Sequence, residues 1–251
     1  IKNDRNRGFA AANNQGIAIA QGRYVLLLNS DTVILDRAVS KTLAFADQHP
    51  EAAVVGCRVL NPDRTLQPTC FLFPSLLNLF LSSTYLYKIF PQSRFFGREQ
   101  MTWWDRNDVR QVEAVTGCFM LVRKKSIEQV GMMDEKYFMY AEEADWCYRF
   151  QKAGWKNLFF PDAQIIHLGG QSTRKVSSEM TVCLRLSLLL FFQKHYSKLC
   201  YRAAQALFFF WFFVRIPYWY CISIISNDKR LEAKSVCRTY WKGCRSVYGV
   251  R

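Results

Sequence analysis

Three carboxylates stand close together at Glu142-Glu143-Ala-Asp145, followed by Arg149 and Lys152. The run from Glu142 to Ala153 reads as a helix stopped by Gly154, with its acidic residues in the first turn and its basic ones in the last, as the helix dipole favours. Such a group serves either as helix capping and solvation or as acid–base chemistry at a helix start. A second carboxylate, Asp31, ends Arg23-Tyr-Val-Leu-Leu-Leu-Asn29-Ser30-Asp31-Thr32. The apolar run Tyr24–Leu28 predicts a strand buried on both faces, typical of a parallel sheet. Ligands of open α/β sheets sit beyond the carboxyl ends of strands, which makes Asp31 a candidate metal or phosphate-site residue; the alternative is an Asp that caps the next helix. His167 ends another apolar run and precedes the polar, basic stretch Gly169-Gly-Gln-Ser-Thr-Arg174, a setting better suited to a ligand than to a core.

The elements that would position these groups follow in order. Phe9 to Gln21 is Ala-rich and predicts a helix stopped at Gly22, with Asn13 and Asn14 turned either to a polar ligand or to a close-packed sheet. Asp36–Gln48 predicts a helix and Ala52–Gly56 a short buried strand. Cys70–Arg110 is the least regular stretch, rich in aromatics that include Trp103 and Trp104; it reads as an insertion that covers the site or touches lipid. Glu113–Arg123 predicts a strand in which Gly117 allows close approach of a ligand. Lys125–Val130 predicts a short helix, and Lys156–Phe160 and Gln164–Ile166 two strand pieces.

Bulk properties narrow the class. The chain has 251 residues, half of them hydrophobic, and a formal net charge of +14. That balance calls for an anionic partner. Many basic residues lie after Lys194 beside apolar stretches, and neither zinc-finger spacing nor an RNA-binding signature occurs, which favours a membrane surface over nucleic acid. Nine cysteines without a CxxC pair suit free thiols in a reducing compartment. Ala203–Ile225 is long enough to span a bilayer, but Arg215 and Pro217 make an interfacial or re-entrant helix at least an equal alternative, and a soluble helical subdomain packed on the sheet is the third. The basic stretch Asn227–Arg251 suits a cytoplasmic face. The start at Ile1, without Met, suggests that residues precede it.

In this order, Asn6-Arg7-Gly8-Phe9-Ala…Asn13-Asn14, Leu27-Leu28-Asn29-Ser30-Asp31, Thr116-Gly117-Cys118-Phe119, Tyr140-Ala-Glu142-Glu143-Ala-Asp145-Trp146 and Pro161…His167 resemble the family 2 glycosyltransferases, closest to the bacterial rhamnosyltransferase-like branch. The resemblance covers roughly residues 1 to 200. It implies a GT-A fold, a Rossmann-like nucleotide-sugar-binding α/β sheet, here lacking its first strand or strands, over residues 1–180. Residues 181–251 would form a helical, apolar and basic membrane-associated tail.

It further implies an inverting transfer of a sugar, rhamnose by branch, from a nucleotide-diphosphate donor to a saccharide or lipid-linked acceptor in cell-surface polysaccharide synthesis. The site would lie at the cytoplasmic membrane face, held peripherally or by one C-terminal segment. Asp31 matches the last position of the family's DxD-type motif, whose first position here is Asn29. With His167 it would hold Mn²⁺ or Mg²⁺. Glu143 matches the catalytic base, beside Glu142 and with Asp145 supporting the helix start. Arg7, Gly8, Asn13, Asn29, Ser30, Asp31 and Arg174 are the expected donor-side residues, and Gly117, Trp103 and Trp104 the acceptor-side ones. A competing expectation is a catalytically inactive nucleotide-sugar-binding or membrane scaffold subunit.

Overall fold

The computed structural model describes residues 1–169 and 177–249. The chain divides into two compact units. The first comprises Ile1–Phe73, Tyr85–Phe138 and Glu142–Gln171, and the second Pro74–Thr84, Met139–Ala141 and Ser172–Arg251.

In chain order the first unit begins with α1 (Phe9–Ile19), β1 (Tyr24–Leu28), β2 (Thr32–Leu35), α2 (Ala38–Gln48), β3 (Ala52–Leu60), β4 (Leu66–Gln67) and β5 (Cys70–Phe71). The second unit's α3 (Leu76–Thr84) comes next. The first then resumes with α4 (Leu86–Ile89), β6 (Arg110–Val112), β7 (Ala114–Val115), β8 (Phe119–Arg123), α5 (Lys124–Val130), α6 (Glu142–Lys152) and β9 (Lys156–His167). The remaining helices, α7 (Ser177–His195), α8 (Lys198–Phe213), α9 (Arg215–Ile225) and α10 (Arg230–Ser246), belong to the second unit.

The main sheet runs β1-β8-β3-β9-β2, with β4 added to β3 and β6 to β9; β5 and β7 pair apart. Strands β3 and β9 are parallel, whereas β8 runs antiparallel to both β1 and β3. So β1, β3 and β9 end on the same side of the sheet. Alternation along each strand loads both faces. Val54, Met120 and Phe159 face a core built with Trp146 and Phe150 of α6 and Ala10 and Ile17 of α1. Val55, Leu121 and Leu158 face Phe45 and Ala46 of α2. Two covered faces explain why β3 reads as an unbroken apolar run.

Several expectations change. Among the described residues strand β1 pairs with β8 alone, and antiparallel, and only Leu27 in it is buried, where the apolar run predicts a strand of a parallel sheet buried on both faces. The stretch 113–123 is two strands: the chain turns at Thr116–Cys118, so β7 joins β5 and β8 joins the main sheet. The two expected strand pieces after Gly154 are one strand, β9, whose irregular register against β3 between Cys57 and Arg58 accounts for the break in pattern. Helix α1 ends at Ile19, with Ala20 already extended, rather than running to Gly22. Gly154 does end α6, in left-handed backbone at φ 90°.

In the second unit, Leu79 of α3 packs with Leu189 and Phe192 of α7, Phe208 and Phe212 of α8 and Tyr240 of α10. Helix α8 starts at Ser197, whose hydroxyl accepts from Cys200 N at 3.3 Å, an N-cap bond. Lys198–Ile225 is the one stretch among the described residues long and apolar enough to cross a membrane.

Candidate active site

The carboxyl end of β1 meets the turn that precedes β8, and the carboxyl end of β9 meets the Asn29–Asp31 turn. Asn29 N donates to Cys118 O at 3.1 Å, and Leu168 N to Asp31 O at 2.9 Å. Thr32 Oγ1 donates to Asn29 O at 2.8 Å. These bonds fix the Asn29-Ser30-Asp31 turn. Asp31 Oδ1 then lies 3.3 Å from His167 Nε2, and Asn29 Nδ2 lies 3.2 Å from the same nitrogen. The other ring nitrogen, Nδ1, is 2.7 Å from Gln67 Oε1. An amide oxygen only accepts, so Nδ1 carries hydrogen there and Nε2 is the nitrogen turned to Asp31. Gln67 is itself oriented by Nε2 donating to Asn61 Oδ1 at 2.8 Å.

Asp31 and His167 are both partly accessible, with side-chain exposures of 27% and 14%. They offer one oxygen and one nitrogen donor to a divalent cation, and the Gln67 bond supplies the orienting support that metal-binding histidines usually have. Among the described residues no group of three or more His, Cys, Asp or Glu side chains could hold a metal ion. A cation here would therefore need further oxygens from a ligand or water.

Glu143, in the first turn of α6, reaches the same end of the sheet. Its Oε1 accepts from Gly117 N at 3.0 Å. Gly117 is one residue before Cys118, which holds Asn29, so a single turn links the Asp31 side to Glu143. Burial pushes the Glu143 carboxyl above its usual range, and the Gly117 N–H pulls it partly back. A β-carbon at Gly117 would lie 2.5 Å from Phe9 Cζ and 3.0 Å from Glu143 Oε1, so only glycine fits between that ring and the carboxylate. Phe9 is placed by its own N–H, which donates to Phe138 O at 2.8 Å. Gly8, at φ 84°, makes the turn into α1, and a side chain there would collide with Phe138 O.

The neighbouring carboxylates are differently placed. Asp145 is fully buried and accepts from Arg149 Nε at 2.8 Å. The Arg149 guanidinium also donates to Val130 O at 3.1 Å and Met132 O at 2.7 Å. That clamp ties α6 to the end of α5. Glu142 is 2% exposed. Of the three, Glu143 is the one left partly accessible.

Of the remaining expected residues, Arg7 and Ser30 are exposed, and Asn13 Nδ2 donates to Phe9 O at 2.9 Å. Asn14 is a tether, exchanging bonds with Met133 O and Met133 N at 2.9 and 3.1 Å. Trp104 is core, edge-on to Phe159, while Trp103 is half-buried beneath the Arg94 and Arg110 guanidiniums. Arg174 lies outside the described residues. The sequence reading did not single out Gln67, Asn61 or Phe9 as parts of this cluster.

Comparison with known proteins agrees with this architecture. The model of "Glycosyl transferase family 2" matches residues 1–131. An N-acetylglucosaminyl-diphospho-decaprenol L-rhamnosyltransferase of Mycobacterium tuberculosis is 29% identical over 150 residues, 60% of this chain and 48% of that protein. Rhamnosyltransferase WbbL of Escherichia coli is 24% identical over 183 residues, 68% of this chain and 65% of that protein. The chain thus spans about half the length of the mycobacterial relative.

Among solved structures, GalNAc-T7 with UDP, GalNAc and Mn²⁺ superposes with a TM-score of 0.52 at 13% identity, covering 80% of this chain and 37% of that one. The mannosyltransferase PcManGT of Pyrobaculum calidifontis, in complex with GDP-Man and Mn²⁺, gives 0.50 at 10% identity, covering 100% and 66%. The fold is that of a GT-A glycosyltransferase. The chain belongs to glycosyl transferase family 2, and within it the chain is similar to rhamnosyltransferases.

Proposed function

We propose that this chain carries the catalytic site of an inverting glycosyltransferase. It moves a sugar, rhamnose by its similarity to rhamnosyltransferases, from a nucleoside-diphosphate donor to a saccharide or lipid-linked acceptor in cell-surface polysaccharide synthesis. The observation that carries the reading is the single turn, Gly117–Cys118, that holds Glu143 on one side and the Asn29–Asp31 turn on the other.

Transfer with inversion requires an acceptor hydroxyl to attack the anomeric carbon as its bond to the diphosphate oxygen breaks. The hydroxyl proton passes to Glu143, whose Oε1 is held by Gly117 N while Oε2 is left to receive it. A carboxyl raised by burial is a stronger base than an exposed one, which suits this task. Asp31 and His167 would hold a divalent cation, Mn²⁺ or Mg²⁺, which when bound neutralises charge developing on the leaving diphosphate. Asn29, Ser30, Gly8, Asn13, Arg7 and Arg174 are assigned to the donor side. Gly117, Trp103 and Trp104 are assigned to the acceptor side, Trp104 acting through the packing beneath it. The same reading puts the protein at the cytoplasmic face of the membrane, with residues 181–251 as its attachment.

Calorimetric titration with dTDP, UDP and GDP, each with and without Mn²⁺, tests this site. Metal-dependent binding of one nucleotide that disappears in Asp31→Ala is the expected result. Nucleotide binding that ignores both the metal and Asp31→Ala would overturn the assignment.

A further inference from the structure

Helices α8 and α9 form one apolar length with two different sides. One side is core: Phe208, Trp211 and Phe212 pack against Leu189, Phe192 and Tyr240. The other side is open. Phe210 is 63% exposed, Tyr220 60%, Ile224 65% and Ile225 83%, with Phe213 and Pro217 also exposed between them. Steps of three or four residues separate Ala206, Phe210, Phe213, Pro217, Tyr220 and Ile224, so they form one stripe along the helix. A stripe of this length without a charged side chain is far beyond the scattered exposed apolar residues of an ordinary surface. Arg215 does not interrupt it. Its guanidinium is folded over Trp211, 3.8 Å from the ring centroid, and donates to Trp211 O at 3.0 Å.

The course of α10 decides how this stripe can be covered. Gln205 Nε2 donates to Val247 O at 2.9 Å; Cys244 Sγ lies 3.9 Å from Phe209 O and Cys237 Sγ 3.6 Å from Ile216 O. Rising numbers on one helix meet falling numbers on the other, so α10 runs antiparallel beside α8 and into α9, from Gln205 to at least Ile216. Its outer face carries Lys234, Arg238, Lys242 and Arg245, all exposed, with Trp241 among them at 55%. If Lys198–Ile225 crossed a bilayer, α10 would carry those four cations through the hydrocarbon beside it, where charged side chains are strongly disfavoured.

We propose that the α8–α9–α10 hairpin docks on an anionic lipid surface, lying in the plane of the interface rather than spanning it. The apolar stripe enters the acyl boundary, and the α10 cations meet lipid phosphates. Apolar residues on one side, Lys and Arg flanking them, and Tyr and Trp between are the composition of an interfacial helix. The inference sharpens the membrane part of the proposed function and is independent of its chemistry, because the test uses neither donor nor acceptor.

The test is flotation of the whole chain with phosphatidylcholine vesicles, alone or mixed with phosphatidylglycerol, followed by alkaline carbonate extraction. Labelling of the exposed Cys221 by an impermeant maleimide is followed in parallel. Docking predicts flotation with the anionic vesicles, release by carbonate, and slower Cys221 labelling once vesicles are added. Reversal of Lys234, Arg238 and Lys242 to Glu should weaken binding by more than roughly fivefold per residue. Phe210→Ser with Ile224→Ser, both outside the core, should abolish it. Carbonate-resistant association would mean a spanning segment and overturn the proposal. Equal binding to neutral vesicles, or indifference to the α10 reversal, would overturn the electrostatic half. A concentration-dependent dimer that protects Cys221 without lipid and is lost in the Phe210/Ile224 variant would assign the stripe to a second copy instead.

Discussion

His167 presents Nδ1 to Gln67 Oε1 at 2.7 Å, and this bond helps to keep Nε2 turned toward Asp31. Gln67→Leu removes the acceptor, freeing the ring to rotate or change tautomer. The expected result is a roughly 10–100-fold weaker Mn²⁺ affinity in the presence of nucleotide, measured by titration. Gln67→Glu, which keeps an acceptor at that position, should restore most of it. The nitrogen chemical shifts of His167 provide a readout without metal: Nδ1 should lose its protonated signature in Gln67→Leu and keep it in Gln67→Glu.

Glu143 makes a prediction of opposite signs for activity and stability. Burial raises its carboxyl above the usual 4.5. The folded state therefore holds that proton more tightly than the unfolded chain does. The stability it contributes is complete below the unfolded value and is lost as pH rises through the raised folded value. Glu143→Gln removes the buried charge while keeping an oxygen for Gly117 N. It should lower kcat by about 10²–10⁴-fold and raise Tm at neutral pH. In the parent protein the acidic limb of kcat/KM should fall above the ordinary carboxylate range. An acid limb at or below that range would remove Glu143 as the base.

Gly117→Ala inserts a methyl between Phe9 and Glu143. Overpacking of this kind costs about 1–3 kcal/mol and should displace the carboxylate, lowering kcat more than it raises KM. Phe9→Leu combined with Gly117→Ala should recover stability beyond the sum of the two single changes. Denaturant unfolding of the double-mutant cycle checks this.

The Asp145–Arg149 pair predicts a large structural effect without a chemical one. Asp145→Ala leaves a guanidinium half-buried without its carboxylate and should cost about 3–5 kcal/mol by urea unfolding. Its main effect on turnover should track the fraction folded. A kcat loss in fully folded protein would mean that Asp145 does more than hold α6.

Much of this site is legible before folding because its signals are local. The acidic first turn and Gly154 delimit α6 nearly to the residue, and the polar end of the Tyr24–Leu28 run points to Asp31. What escapes the sequence is lateral. Nothing in Tyr24–Leu28 says that β8 will be its neighbour or that the two will run antiparallel. Gln67 is missed for the same reason: its partner lies 100 residues away, and a lone Gln after a turn carries no periodic or compositional mark. Asn14 is harder still, since a buried tether to Met133 and a ligand-facing amide look identical in one dimension.

The strand order also sets a timetable for folding. Among the described strands, β1, β2 and β3 do not pair with one another; β3 finds the short β4 at once, but β1 waits for β8 and β2 for β9. A nascent chain must therefore emerge through Arg123 before β1 is paired and through His167 before β2 is, so Val25 and Leu26, and for longer Val33 and Ile34, stay unpaired while the segments between are made. The later helices α7 to α10 meet near neighbours in sequence and can condense quickly. Of the two units, the one bearing Asp31 and Glu143 is the slower to form and the more dependent on protection while it does.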